Sequence, residues 1–170
     1  WNNAFIYWQG TAPTITNNGI FNIDNAGYGM YYSTAFGIFN NTGTINKLNT
    51  YTVYLQYLNT LNNTGTISIQ NGALNLANST FTNNGLLTTS TNGIFQLNSG
   101  NAFTNGANGI MGGNGTFDMP YTYINNGTIA PGASPGNLTV NGAPPFSATS
   151  LYSVEMLDGS GIGTGNDGKP

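Results

Sequence analysis

The chain has 170 residues, 38% of them hydrophobic and only 4% charged, with two cations, five acids, no histidine and no cysteine. A net charge of −3 excludes a basic surface for a nucleic-acid backbone, because each neutralised phosphate needs a Lys or Arg. Disulfides, thiol catalysis and thiolate metal sites are excluded with cysteine, and no run approaches the roughly 18 apolar residues of a membrane-spanning helix.

The chain opens on Trp1, Phe5, Tyr7 and Trp8, a dense aromatic group expected to crowd one end of the fold. From there a motif returns: Asn17-Asn18-Gly19, Asn40-Asn41-Thr42-Gly43, Asn62-Asn63-Thr64-Gly65, Asn83-Asn84-Gly85, a ragged copy from Asn105 to Gly109, and Asn125-Asn126-Gly127. Each copy leads into a short β-prone segment. The glycines are spaced by 24, 22, 20, 24 and 18 residues, a mean of 21.6. An internal period of this size marks a repeat array.

Two further series run in phase with the corners. Ile15, Phe39, Leu61, Phe81, Phe103 and Ile124 come just before the Asn pairs. Gly72-Ala73-Leu74-Asn75-Leu76, Gly93-Ile94-Phe95-Gln96-Leu97 and Gly115-Thr116-Phe117-Asp118-Met119 form the other. Alternation puts Leu74 and Leu76 on one face and Asn75 on the other. Three short strands per repeat predict an all-β fold, a parallel β-helix of about six coils of ~22 residues forming a rod on the order of 30 Å long. The expected division is a solenoid over 1–145 and a terminal strand with a Gly-rich tail over 146–170.

At the corner, Gly and Asn suit a turn needing positive φ. The stacked amides of Asn18, Asn41, Asn63, Asn84 and Asn126 are expected to form a ladder up the solenoid. The competing arrangement is an antiparallel meander in which Asn-Gly marks hairpins.

Toward the end, Gly127-Thr128-Ile129-Ala130-Pro131-Gly132-Ala133-Ser134-Pro135-Gly136-Asn137-Leu138-Thr139-Val140 resembles a proline-glycine segment of autotransporter passenger domains and related β-helical adhesins. The Asn40-Asn41-Thr42-Gly43-Thr44-Ile45-Asn46 repeats resemble those of filamentous-haemagglutinin-like bacterial surface proteins. The resemblance implies a right-handed β-helix on a secreted, extracellular or cell-surface protein. The strand of Leu151, Val154 and Met156 would close the stack and, with Trp1, Phe5, Tyr7 and Trp8, offer ends for head-to-tail self-association.

Chemistry is sparse. The acids are Asp24, Asp118, Glu155, Asp158 and Asp167, and Lys47 stands alone as a cation within the repeats. Glycoside hydrolysis needs two carboxylates flanking the bond, and the stack neighbours of Asp118 are Gln96 and Asn75, so no enzyme is expected. No cofactor is expected either. The nearest approach to a metal site is Asp158, Asn166 and Asp167, which resemble half of a glycine-rich calcium repeat.

Three function classes follow: a non-enzymatic structural or adhesive surface module, a filament or sheath subunit, and an ice-binding or polysaccharide-binding solenoid. The last rests on the outward pairs Thr44 with Asn46, Thr66 with Ser68, Leu86 with Thr88 and Thr128 with Ala130, a rank broken by Leu86. Exposed tyrosines would offer platforms for glycans or other surface proteins.

Overall fold

A computed structural model describes residues 1–2, 4–24, 26–27, 29–77, 79–98, 101–121, 123–132, 136–142 and 147–153. Every strand pairing among them is parallel, and none of these residues is helical. The chain winds as a β-solenoid of about six coils, each contributing to three flanks. The parallel pairing removes the hairpin alternative.

The first flank is a six-stranded sheet of Thr14–Asn17, Gly37–Asn41, Leu58–Asn63, Thr80–Asn83, Ala102–Asn105 and Ile124–Asn125. The second stacks Ile20–Ile23, Thr44–Lys47, the first part of Thr66–Ala77 and of Leu86–Leu97, Ile110–Gly113, Thr128–Pro131 and Leu151–Tyr152. The two long strands bend on into the third flank, joined there by Val53–Gln56, Thr116–Asp118 and Thr139–Asn141. Leu151–Tyr152, a strand after residue 146, pairs with Thr128–Pro131.

Alternation sends every second residue inward, and stacking turns these residues into columns. One column is Ile15, Phe39, Leu61, Phe81 and Phe103. The second is Phe21, Ile45, Ile67, Leu87, Met111 and Ile129. On the third flank Leu74 stacks on Phe95 and Phe95 on Phe117, with Leu76 on Leu97. Ring centroids of 5.0 Å for Phe81–Phe103 and 5.7 Å for Phe95–Phe103 show aromatic packing across the narrow interior.

One column member differs from expectation. Ile124 pairs with Thr104 and is 50% exposed, while Tyr123 is buried and packs on Phe103 at 5.9 Å. In the other coils the core residue lies two before the inward Asn, which here is Asn125, so the parity falls on Tyr123.

The corner glycines also recur for a different reason. None of Gly19, Gly43, Gly65, Gly85, Gly109 and Gly127 has a positive φ, and the only non-glycine residues described with one are Ala12 and Tyr57. A Cβ on Gly43, Gly65 or Gly85 would instead lie 2.1, 2.1 or 2.2 Å from a backbone oxygen of the coil before it. Close approach of successive coils, not turn conformation, requires glycine there.

Candidate functional site

The Asn ladder lies one register away from part of its expected position. It runs through Asn17, Asn41, Asn63, Asn83, Asn105 and Asn125. Each Nδ2 donates to the next Oδ1 at 2.7 Å for the first three links and 2.8 Å for the last two. Asn41 and Asn63 belong to it; Asn18, Asn84 and Asn126 do not. Asn18 accepts a bond from Thr42 Oγ1 at 2.7 Å, and the backbone amides of Asn84 and Asn126 reach the carbonyls of Asn63 and Asn105.

Backbone carbonyls fix the direction of the ladder. Asn41 Nδ2 also faces Gly43 O at 3.2 Å and Thr66 O at 3.1 Å, positions that only a donor satisfies. The same arrangement recurs at Asn63 and Asn83. These amides are buried, so they hold one coil to the next rather than presenting a surface to a ligand. At the last rung Asn125 Nδ2 is buried without a partner among the described residues.

Lys47 is fully buried, inward between Ile23 and Ile69. Its Nζ donates to the main-chain carbonyl of Asn49, to Asn49 Oδ1 at 2.8 Å and to Asn71 O at 3.0 Å. Burial lowers its pKa from 10.5 to about 8, against the opposing pull of Asp24. Tyr123, whose buried hydroxyl has no hydrogen-bond partner among the described residues, is pushed from 10.0 up to about 12 by burial.

These shifts have opposite consequences for stability. The folded state loses the Lys47 proton at lower pH than the unfolded chain, so stability rises between about 8 and 10.5. Tyr123 favours folding below its unfolded value, and that contribution is lost as pH climbs from 10.0 to about 12. Melts across this range should show a maximum near the crossover. Lys47→Met should flatten the rising limb. Tyr123→Phe should weaken the falling limb and add about 1 kcal/mol by removing an unpaired hydroxyl.

The aromatic residues at the start of the chain divide. Trp8 is in the core: its Nε1 donates to Gln56 O at 3.2 Å, and its ring lies so close to Gly37 that a Cβ there would fall 2.2 Å from it. It is not an assembly surface. Trp1 leans on Phe21 at a centroid distance of 6.3 Å, across the first coil. Phe5 and Tyr7 are exposed and join Tyr31 in a cluster with centroid distances of 5.1 to 6.3 Å.

Leu151 is exposed on the last described strand. Val154, Met156 and the calcium candidates Asp158, Asn166 and Asp167 lie outside the described residues. Among the described residues, no three His, Cys, Asp or Glu side chains come together, and no helix is long and apolar enough to cross a membrane.

Asp118 belongs to an outward rank on the third flank, where it accepts a bond from Asn141 Nδ2 at 3.3 Å. Asn75 stands in the same rank, yet it is buried beside Gln96, to which it donates at 3.3 Å. On the second flank the outward rank is Ile20, Thr44, Thr66, Leu86, Ile110, Thr128 and Leu151. Aliphatic residues therefore interrupt it at four positions. The Thr-rich ranks lie instead on the first flank, before the corner.

Comparison with protein-family models, curated proteins and solved structures gave no match to this chain.

Proposed function

We propose that the chain is a non-enzymatic, structural and adhesive β-solenoid module of an extracellular or cell-surface protein, of the kind its repeats resemble. The observation that supports this is where its reactive side chains go. The inward amides bond to one another, Lys47 is tied to Asn49 and Asn71, and Asp118 is tied to Asn141. What remains outward in the repeats is mainly Thr, Asn and aliphatic surface on a rigid rod. The Phe5, Tyr7 and Tyr31 cluster is the proposed contact patch, since rings with a polar tip suit sugars and protein surfaces.

The test is binding of the purified chain to glycan arrays and to cell surfaces. Tyr7→Ala with Tyr31→Ala should abolish binding while leaving the thermal melt of the coils unchanged. Undiminished binding by that variant would remove the contact patch. Release of new reducing ends from a polysaccharide, lost in Asp118→Asn, would make the chain an enzyme and end the reading.

A second reading, a self-associating filament subunit, is favoured by Leu151 and Tyr152. They are exposed on a strand that pairs on one side only among the described residues. Fibres in electron micrographs would support it; a monomer in light scattering at high concentration would dismiss it.

A further inference from the structure

The outer surface of the first flank carries two parallel ranks. One is Thr14, Ile38, Thr60, Thr80 and Ala102; the other, two residues further along each strand, is Thr16, Asn40, Asn62, Thr82, Thr104 and Ile124. Six of these eleven positions are Thr. We propose that this surface is an ice-binding plane.

The geometry of the sheet sets a two-dimensional lattice. Successive coils repeat at about 4.8 Å, and residues two apart along a strand repeat at about 6.6 Å. The coil repeat lies close to the shorter oxygen repeat on a prism face of hexagonal ice, and the strand repeat falls somewhat below the longer one. The lattice is stiff, because the intervening residues of the same strands are the buried Phe39, Leu61, Phe81 and Phe103 and the ladder asparagines. The register shift between Gly37–Asn41 and Leu58–Asn63 falls before Ile38, so both ranks stay aligned above it. Asn62 Nδ2 donates to Asn40 Oδ1 at 2.9 Å, which pins those two side chains.

The chemistry of the surface points outward. The hydroxyls of Thr16, Thr60, Thr80, Thr82 and Thr104 have no hydrogen-bond partner among the described residues. The corner residues Thr42 and Thr64 differ, with Oγ1 donating to Asn18 Oδ1 at 2.7 Å and to Asn41 O at 3.4 Å. A regular array of free hydroxyls and methyls can hold water in fixed positions, the methyls by ordering it and the hydroxyls by bonding it. No charged residue stands in either rank, which suits an uncharged lattice; an ion would impose its own hydration shell. A crystalline polysaccharide is less well matched. Stacking on sugar rings uses aromatic faces, and the exposed Phe5, Tyr7 and Tyr51 are not on this sheet.

Thermal hysteresis and crystal shaping of the purified chain test the proposal. The unmodified chain should separate freezing from melting and facet ice. Thr82→Lys, at an outward position in the middle of the plane, should lose most of the hysteresis with an unchanged melt. Thr66→Lys, on the second flank, should retain it. Absence of hysteresis and faceting in the unmodified chain would overturn the inference, as would equal effects of the two substitutions. Binding to microcrystalline cellulose that Thr82→Lys abolishes, without ice activity, would overturn it in favour of a polysaccharide. None of these outcomes bears on the Phe5, Tyr7 and Tyr31 contact patch, which is read by adhesion alone.

Discussion

Gly65→Ala should cost more than about 4 kcal/mol or prevent folding, whereas Gly19→Ala at the equivalent corner should be tolerated. A Cβ on Gly65 would lie 2.1 Å from Gly43 O and 2.6 Å from the carbonyl atoms of Thr42. Those atoms are backbone, and a rotamer change cannot move them aside. The coils would have to separate, weakening the bonds from Gly65 N to Asn41 O at 3.2 Å and from Thr66 N to Gly43 O at 2.8 Å. A Cβ on Gly19 would meet nothing within 4 Å. With no positive φ to oppose it, Ala there should be neutral or stabilising by about 0.5 kcal/mol, through reduced freedom of the unfolded chain. Denaturant midpoints of the two variants provide the comparison. If Gly65→Ala proved as mild as Gly19→Ala, coils would not pack at this corner as described.

Asn63→Ala should cost about 3 kcal/mol and Asn84→Ala less than about 0.5 kcal/mol. Asn63 Oδ1 accepts from Asn41, and its Nδ2 donates to Asn83 Oδ1 at 2.7 Å and to Gly65 O and Leu86 O at 3.3 Å. Truncation removes all of these at once. It leaves Asn83 Oδ1 and Asn41 Nδ2 each short of a partner in a site closed to water. Asn41 keeps Gly43 O and Thr66 O, which limits the loss on its side. Asn84 is exposed, and the bond it makes to Asn63 O comes from its backbone, which Ala preserves. Equal costs from urea denaturation would contradict the placement of the ladder.

Much of this fold was legible in the repeat, because stacking demands that each coil reproduce the residue types of the last. The columns of Ile15, Phe39, Leu61, Phe81 and Phe103 and of Leu74, Phe95 and Phe117 follow from spacing and alternation alone. The ladder was legible in kind but slipped at three rungs. The needed signal was parity: the inward Asn lies two residues after the core residue, giving 17, 41, 63, 83 and 105. The same rule would have moved the last coil from Ile124 and Asn126 to Tyr123 and Asn125. It also turns Lys47 inward, two residues after Ile45.

The glycines misled for another reason. Positive φ is the usual local cause of a recurring Asn-Gly corner, but here the cause is a neighbouring coil some 22 residues away. Trp8 ends the parallel strand Ile6–Trp8, paired one repeat on with Met30–Tyr32, so alternation turns it inward; that its ring packs on Gly37, on another flank, is not encoded in the spacing. The Thr ranks of the first flank were visible as Thr14-Ile15-Thr16 and Thr80-Phe81-Thr82, flanking core residues. Their alignment across six strands depends on where the bulge between neighbouring strands falls, which composition does not encode.

Side-chain amide NOEs in isotope-labelled protein test the stacked coils and their interior ladder most directly. The expected result is an unbroken chain of cross-peaks joining Asn17, Asn41, Asn63, Asn83, Asn105 and Asn125, with slow solvent exchange at Asn41, Asn63, Asn83 and Asn105. Rapid exchange at those four residues, or cross-peaks that instead join Asn18, Asn84 and Asn126, would contradict it.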